Sequence, residues 1–221
     1  MILSALADYY DRRVQQGGDD APPLFGYSTE KVSFAVILTP DGRVKRLEDL
    51  RVNYAKGRPR PVSKPVSKQV PRPLAGRTSG IRAYFLCDKT QYILGAGGDK
   101  PTRDIQAFAA SREKHLAYLA DNDDPGAVAV RRFFETWNPA DAATLDYWDE
   151  AAGSNLVFKL DGTPGFIHDR AAPRDIWQRR FAEENDARTR QCLVSGKTAP
   201  AAMLHPPVKG VPGAQSSGAY L

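Results

Sequence analysis

Between Leu50 and Cys87 the chain carries nine basic residues and no acid: Arg51, Lys56, Arg58, Arg60, Lys64, Lys68, Arg72, Arg77 and Arg82. Within it, Pro59, Pro61, Pro65, Pro71 and Pro73 recur too closely for a helix or a central strand. Each proline removes a backbone donor and fixes φ. The segment from Lys56 to Arg82 is therefore expected to be an extended, solvent-exposed, irregular loop. Whatever fold the chain adopts must be assembled on either side of it. A loop of that length inside a compact domain is usually either functional or disordered.

The flanks read as α+β. Ile2 to Gln16 repeats apolar residues at spacings of three and four and stops at Gly17-Gly18, which predicts a helix. Val32 to Leu38 predicts a strand, and Pro40-Asp41-Gly42 turns it into a second strand at Val44 to Leu47. Tyr84 to Cys87 and Gln91 to Leu94 predict another strand pair about Asp88-Lys89. Ile105, Phe108, Leu116 and Leu119 mark a helical face. Pro125 behind Asp124 and Pro139 behind Asn138 are first-turn prolines with caps. Leu156 to Leu160 and Phe166 to His168 predict a last hairpin, and Pro173 opens a helix bearing Ile176, Trp177 and Phe181. The expected architecture is antiparallel hairpins packed with several separate helices, and no internal repeat is present.

The charge is segregated. The chain as a whole is +5, so with +9 in the window the remainder stands at −4. A field concentrated on one segment is what a polyanion-binding face needs. The prolines stiffen that segment and reduce the entropy lost on binding. Its end, Gly76 to Arg82, sets Thr78, Ser79 and Gly80 between two arginines, a tip small enough to approach a narrow groove.

Catalytic and cofactor motifs fail on spacing. Gly196-Lys197-Thr198 lacks the earlier glycine of a phosphate loop, since Gln191 stands there. Gly95-Ala96-Gly97-Gly98 matches no dinucleotide fingerprint and reads as a flexible turn. Cys87 and Cys192 are far apart, and no CxxC or HxxxH accompanies Cys192 and His205, so neither a metal site nor another cofactor is expected. His115 and His168 read as surface or partly buried residues, and no acid–base pair or triad is evident. The start lacks a basic region and no run reaches a membrane-spanning length, which predicts a cytoplasmic chain with reduced thiols.

Several stretches resemble one known family. They are Met1 to Tyr10, Val32 to Leu38 with Asp41-Gly42, Glu48 to Arg51, Tyr92 to Gly95, Gly153 to Phe158, Pro164 to His168, Cys192 to Lys197, and Leu204 to Ala219. In this order they are similar to the large subunit of the type I-C CRISPR interference complex, Cascade. The resemblance implies an α+β DNA-engaging N-terminal domain over residues 1–191. Residues 192–221 would be a Pro/Gly-rich connecting segment, cut short of the longer family members. It implies a non-catalytic subunit that reads the protospacer-adjacent motif in double-stranded target DNA and promotes R-loop formation. The implied partners are the crRNA-bearing subunits, especially the one at the crRNA 5′ handle, and a recruited helicase-nuclease. The expected DNA contacts are Lys56, Arg58, Arg60, Lys64, Lys68, Arg72, Arg77, Thr78, Ser79, Gly80 and Arg82. Two alternatives remain open at this point. One is an RNA-processing nuclease. The other is a purely scaffolding subunit whose helical aromatics (Phe133, Phe134, Trp137, Tyr147, Trp148) dock its neighbours.

Overall fold

The computed structural model describes residues 2–17, 21–54, 62–73, 76–77, 80–184, 189–193, 196 and 198–200. It opens with helix α1 (Ile2–Gln16), from which Tyr10 Oη donates to Pro23 O at 2.8 Å. Strands β1 (Tyr27–Val32), β2 (Phe34–Leu38) and β3 (Val44–Asp49) follow. β2 is a continuous apolar run buried at all five positions, which a strand can satisfy only at the centre of a sheet. It lies between antiparallel β3 and parallel β8 (Asn155–Leu160), and β7 (Cys87–Lys89) closes the order β3-β2-β8-β7. The β2–β3 turn is fixed by Gly42, at φ +84°. A Cβ there would lie 2.5 Å from Arg132 Cβ and 2.6 Å from the backbone nitrogen of Phe133.

Each face of this mixed sheet has its own cover. One face presents Phe34, Val36, Leu38, Leu156 and Phe158 to helices α3 (Pro101–Leu119), α4 (Pro125–Thr136) and α6 (Ala171–Glu184). Phe133, Phe134 and Trp177 are fully buried there, and Trp177 Nε1 donates to Gly26 O at 2.7 Å. The other face, with Ala35, Ile37, Cys87 and Val157, packs on Val32 and Val70 of a separate two-stranded ribbon. Asp124 caps α4 by accepting from Gly126 and Ala127 N–H at 2.9 and 3.1 Å. Asn138 caps the 3₁₀ turn Pro139–Thr144 as its sequence signal predicts.

The structure corrects four expectations. The proline-rich segment is not one irregular loop. Val62–Lys64 forms β5 against β4 (Val52–Tyr54), and Val66–Pro71 forms β6, paired along its length with β1. Pro65 lies between β5 and β6, Pro71 ends β6 and Pro73 follows it, so no proline interrupts a ladder from within. Val70 is fully buried, so the segment supplies part of the core.

The strand pair about Asp88-Lys89 is instead β7 followed by the short helix α2 (Thr90–Ile93). Leu86 takes φ +55°, a left-handed conformation that diverts the chain just before β7. The last hairpin does not form either. Ile167–Asp169 is a 3₁₀ turn, because β8 is already flanked by β2 and β7.

Finally, His115 and His168 are buried, not superficial. His115 Nε2 accepts from Leu86 N–H at 3.0 Å while Nδ1 bonds Ser111 O at 2.7 Å, which fixes the neutral tautomer. Burial drives the imidazole of His115 down to about 3 and that of His168 down to about 4.

Candidate nucleic-acid interface

The cations of the basic window divide into two populations. Of the expected contacts, Lys56, Arg58, Arg60, Thr78 and Ser79 lie outside the described residues. Lys64 on β5 and Arg82 are exposed, and Lys68 on β6 is half-buried with its ammonium 5.3 Å from the centre of the Phe166 ring. Gly80 is exposed at φ +76°.

Three arginines instead turn inward. Arg51 binds the Asp49 carboxylate through two N–H groups at 2.9 and 2.7 Å and lies 4.6 Å from the Phe34 ring centre. Arg72 donates to Cys87 O at 2.5 Å, stands 3.5 Å from Glu30 and covers the Tyr84 ring at 4.4 Å; its side chain is 9% exposed. Arg77 is held most closely. Its Nη2 donates to Asp88 Oδ2, its Nε donates to Arg82 O at 2.5 Å, and its guanidinium lies 3.9 Å from the Tyr84 ring centre and 3.7 Å from that of Tyr92. Its backbone N–H donates to Tyr84 Oη at 3.0 Å.

Asp88 anchors this arrangement from inside the protein. Its carboxylate also accepts from the N–H groups of Tyr84 and Lys89, both at 2.8 Å. Burial pushes the carboxyl up, against the opposing pull of Arg77 and those two amides. An ion pair so withdrawn from water survives only because its remaining lone pairs are satisfied.

Beside it opens a cleft of about 650 Å³, lined among others by Gly80, Lys89, Gln91, Lys100 and Arg103. Lys89, Lys100 and Arg103 are exposed, and Arg103 Nη2 donates to Gly80 O at 2.9 Å. These three cations escape a reading of the sequence because acids stand beside them, at Asp88, Asp99 and Asp104. In the fold two of those acids are buried. Asp88 is paired with Arg77, and Asp104 accepts from Gly98 N–H at 2.8 Å. Gly98 thus belongs to a fixed corner, and the glycine cluster is not a merely flexible turn. Among the described residues no group of three His, Cys, Asp or Glu is placed to hold a metal ion, and no helix is long and apolar enough to cross a membrane.

The deciding comparison is with protein families. The model for a CRISPR-associated protein (Cas_Csd1) matches residues 6–221. The chain belongs to the Cas_Csd1 family. That family is the large subunit of type I-C CRISPR systems, so the resemblance drawn from the sequence stands over almost the whole chain. No curated protein matches it. Membership makes this a component of a CRISPR complex, and it gives the outward cations on β5, on β6 and around the cleft a context in which nucleic acid is the natural polyanion.

Proposed function

We propose that this chain engages duplex DNA as the non-catalytic large subunit of its complex, reading the protospacer-adjacent motif and promoting R-loop formation. The observation that carries the reading is the acid-free basic window ending in a small-residue tip whose flanks are fastened. Arg77 bonds Arg82 O on one side, and Arg103 bonds Gly80 O on the other. Fastened flanks reduce the ordering entropy that is lost when the segment enters a groove. Lys64, Lys68 and Arg82, with Lys89 and Lys100 at the cleft, neutralise phosphates and set the register of the protein on the duplex. Lys56, Arg58 and Arg60 extend the same field in sequence. The base edges of a short motif are then met by Ser79 and Arg82, and Gly80 stays small so that the backbone can approach. Guide pairing supplies the rest of the sequence specificity. The partners on this reading are the subunit at the crRNA 5′ handle and the recruited helicase-nuclease.

The test is equilibrium binding by the reconstituted complex to duplex targets with and without the motif, and to a pre-melted target. Ser79→Ala, Arg82→Ala and Gly80→Val are expected to weaken binding to motif-bearing duplex about tenfold, the worth of one lost specific base contact. The pre-melted target, which bypasses motif reading, should be bound nearly as before. Equal losses on both targets would make the tip electrostatic or structural and place motif reading elsewhere.

A further inference from the structure

The two arginines that bracket the tip do different work. Both stand in the basic window and both read from sequence as DNA contacts, yet Arg77 is 20% exposed at its side chain and Arg82 is an exposed residue. A phosphate contact by Arg77 has to be made with what is left of its guanidinium. Nε is used on Arg82 O and an Nη2 proton on Asp88, and tyrosine rings lie within 4 Å of its centre. Taking a phosphate at full strength means leaving Asp88, a carboxylate 1% exposed, without its counter-ion, which is a heavy penalty. The bonds of Arg77 instead all run to the frame of the tip. Its Nε bond to Arg82 O closes the base of the segment. Its backbone N–H is pinned by the Tyr84 hydroxyl, and Tyr84 N–H is in turn held by Asp88. On the far side Arg103, from the first turn of α3, holds Gly80 O at the left-handed corner.

We infer that Arg77, Asp88 and Arg103 form a latch: positioning residues that fix the two ends of the tip, Arg77 on one side and Gly80 and Arg82 on the other, for motif reading, with Arg77 acting through the protein rather than on DNA. The inference rests on the proposed function of the tip and adds to it the residues that set its specificity. It follows that a removed negative charge should weaken discrimination. On charge alone, Asp88→Asn makes the surface more positive and tightens binding to every DNA. On the latch reading it releases Arg77, the ends of the tip lose their fixed positions, and the preference for the motif falls.

The experiment uses the assembled complex with Asp88→Asn, Arg77→Lys and Arg103→Gln. Motif preference is the ratio of affinities for motif-bearing and motif-scrambled duplex. All three variants are expected to lower it about tenfold, the scale of one charge-assisted hydrogen bond. Binding to a pre-melted target should stay within about twofold, and the log–log salt slope of Arg77→Lys should not change, because no phosphate contact is lost. Arg77→Lys keeps the charge but not the two-point geometry, so full motif preference in that variant overturns the latch. So does a fall of about 0.9 in the magnitude of the slope for Arg77→Ala, which marks a phosphate contact. Arg103→Gln keeps the test open if the buried pair proves necessary for folding, since it touches only the exposed tie to Gly80. Unchanged preference in Arg103→Gln overturns the latch by itself. Amide exchange adds a readout independent of DNA: the amides of 77–82 should exchange faster in all three variants, and unchanged exchange counts against the inference. If the Ser79 and Arg82 variants lose motif preference while the latch variants keep it, the function stands and the latch alone fails.

Discussion

In the central sheet, β2 buries every residue and is paired along its length on both sides, in unbroken register with β8 and with one register shift against β3 between Ile37 and Leu38. In the basic segment, β6 is exposed or half-buried from Val66 to Gln69, and within it only Val70 and Pro71 are buried. The first region is held by packing, with Phe133, Phe134, Phe158 and Trp177 interleaved over one face. The second is held by the ladder of β6 with β1 and by a few directional side-chain bonds, among them Arg72 to Cys87 O, Arg77 to Asp88 and Arg103 to Gly80 O. Packing is cooperative and tolerates no loss of volume. Directional bonds fix a small surface without enclosing it, so the segment can be shaped and still present cations to a partner. Within one basic window Arg51, Arg72 and Arg77, with planar forks that match carboxylates and carbonyls, turn inward, while Lys64, Lys68 and Arg82 face or border solvent.

The largest effect expected from this contrast lies in the core. Trp177 is fully buried, stacks with Phe85 at 6.1 Å between ring centres, and holds Gly26 O. Trp177→Ala should destabilise the fold by about 3–5 kcal/mol, the range for a large aromatic removed from a packed interior. Denaturant unfolding of the chain checks it. A loss below about 1 kcal/mol would mean the interior under α6 repacks freely, and the contrast with the basic segment would weaken.

What the sequence made legible follows the same division. Apolar periodicity marks α1 and α3, and the start of α4 and the turn after Asn138 are legible because a capping side chain and its proline sit side by side in the chain. The parallel pairing of β2 with β8 was not legible: Phe34 and Leu156 are partners only through the fold. That pairing also removed the expected hairpin at Ile167. Charge marks a candidate polyanion-binding segment, but does not tell Arg77 from Arg82. The difference rests on Asp88, which reads in sequence as a turn residue and becomes the buried anchor. Prolines mislead for a related reason: in sequence Pro65 and Pro71 argue against strands, whereas in the fold Pro65 immediately precedes β6 and Pro71 ends it.

A smaller effect is set by pH. His115 and His168 are both held neutral by burial, at about 3 and about 4 against an ordinary value of 6.5. Their folded values are lowered, so below about 6.5 the unfolded chain takes up protons that the folded chain refuses. Stability is therefore expected to fall as the pH drops from about 6.5 towards 4, by up to about 1.4 kcal/mol per pH unit for each histidine. Urea unfolding at stepped pH measures the slope. His115→Gln should flatten it, since His115 is stacked on Phe134 at 4.3 Å in the first core and its removal deletes one of the two protons. A slope unchanged by that variant would take His115 out of the acid sensitivity and leave it to His168 and the carboxylates.

The smallest effect on the fold should come from the outward cations, and it sharpens the comparison most because their effect on binding should be large. Lys64 is exposed and Lys68 half-buried on the ribbon, and Arg58 and Arg60 share the same basic window. Replacing Arg58, Arg60, Lys64 and Lys68 together with Ala should move unfolding stability by no more than about 0.5 kcal/mol for each site, as surface substitutions do. Binding of duplex DNA should respond differently. Each phosphate no longer neutralised removes about 0.9 from the magnitude of the log–log salt slope, so the slope should flatten in steps as the cations are removed. Motif preference should hold, because phosphate contacts position the protein without reading bases. The opposite pattern, a stable slope with a collapsed fold, would show that these cations act as Arg72 and Arg77 do, and that the polyanion-binding face lies on another part of the surface.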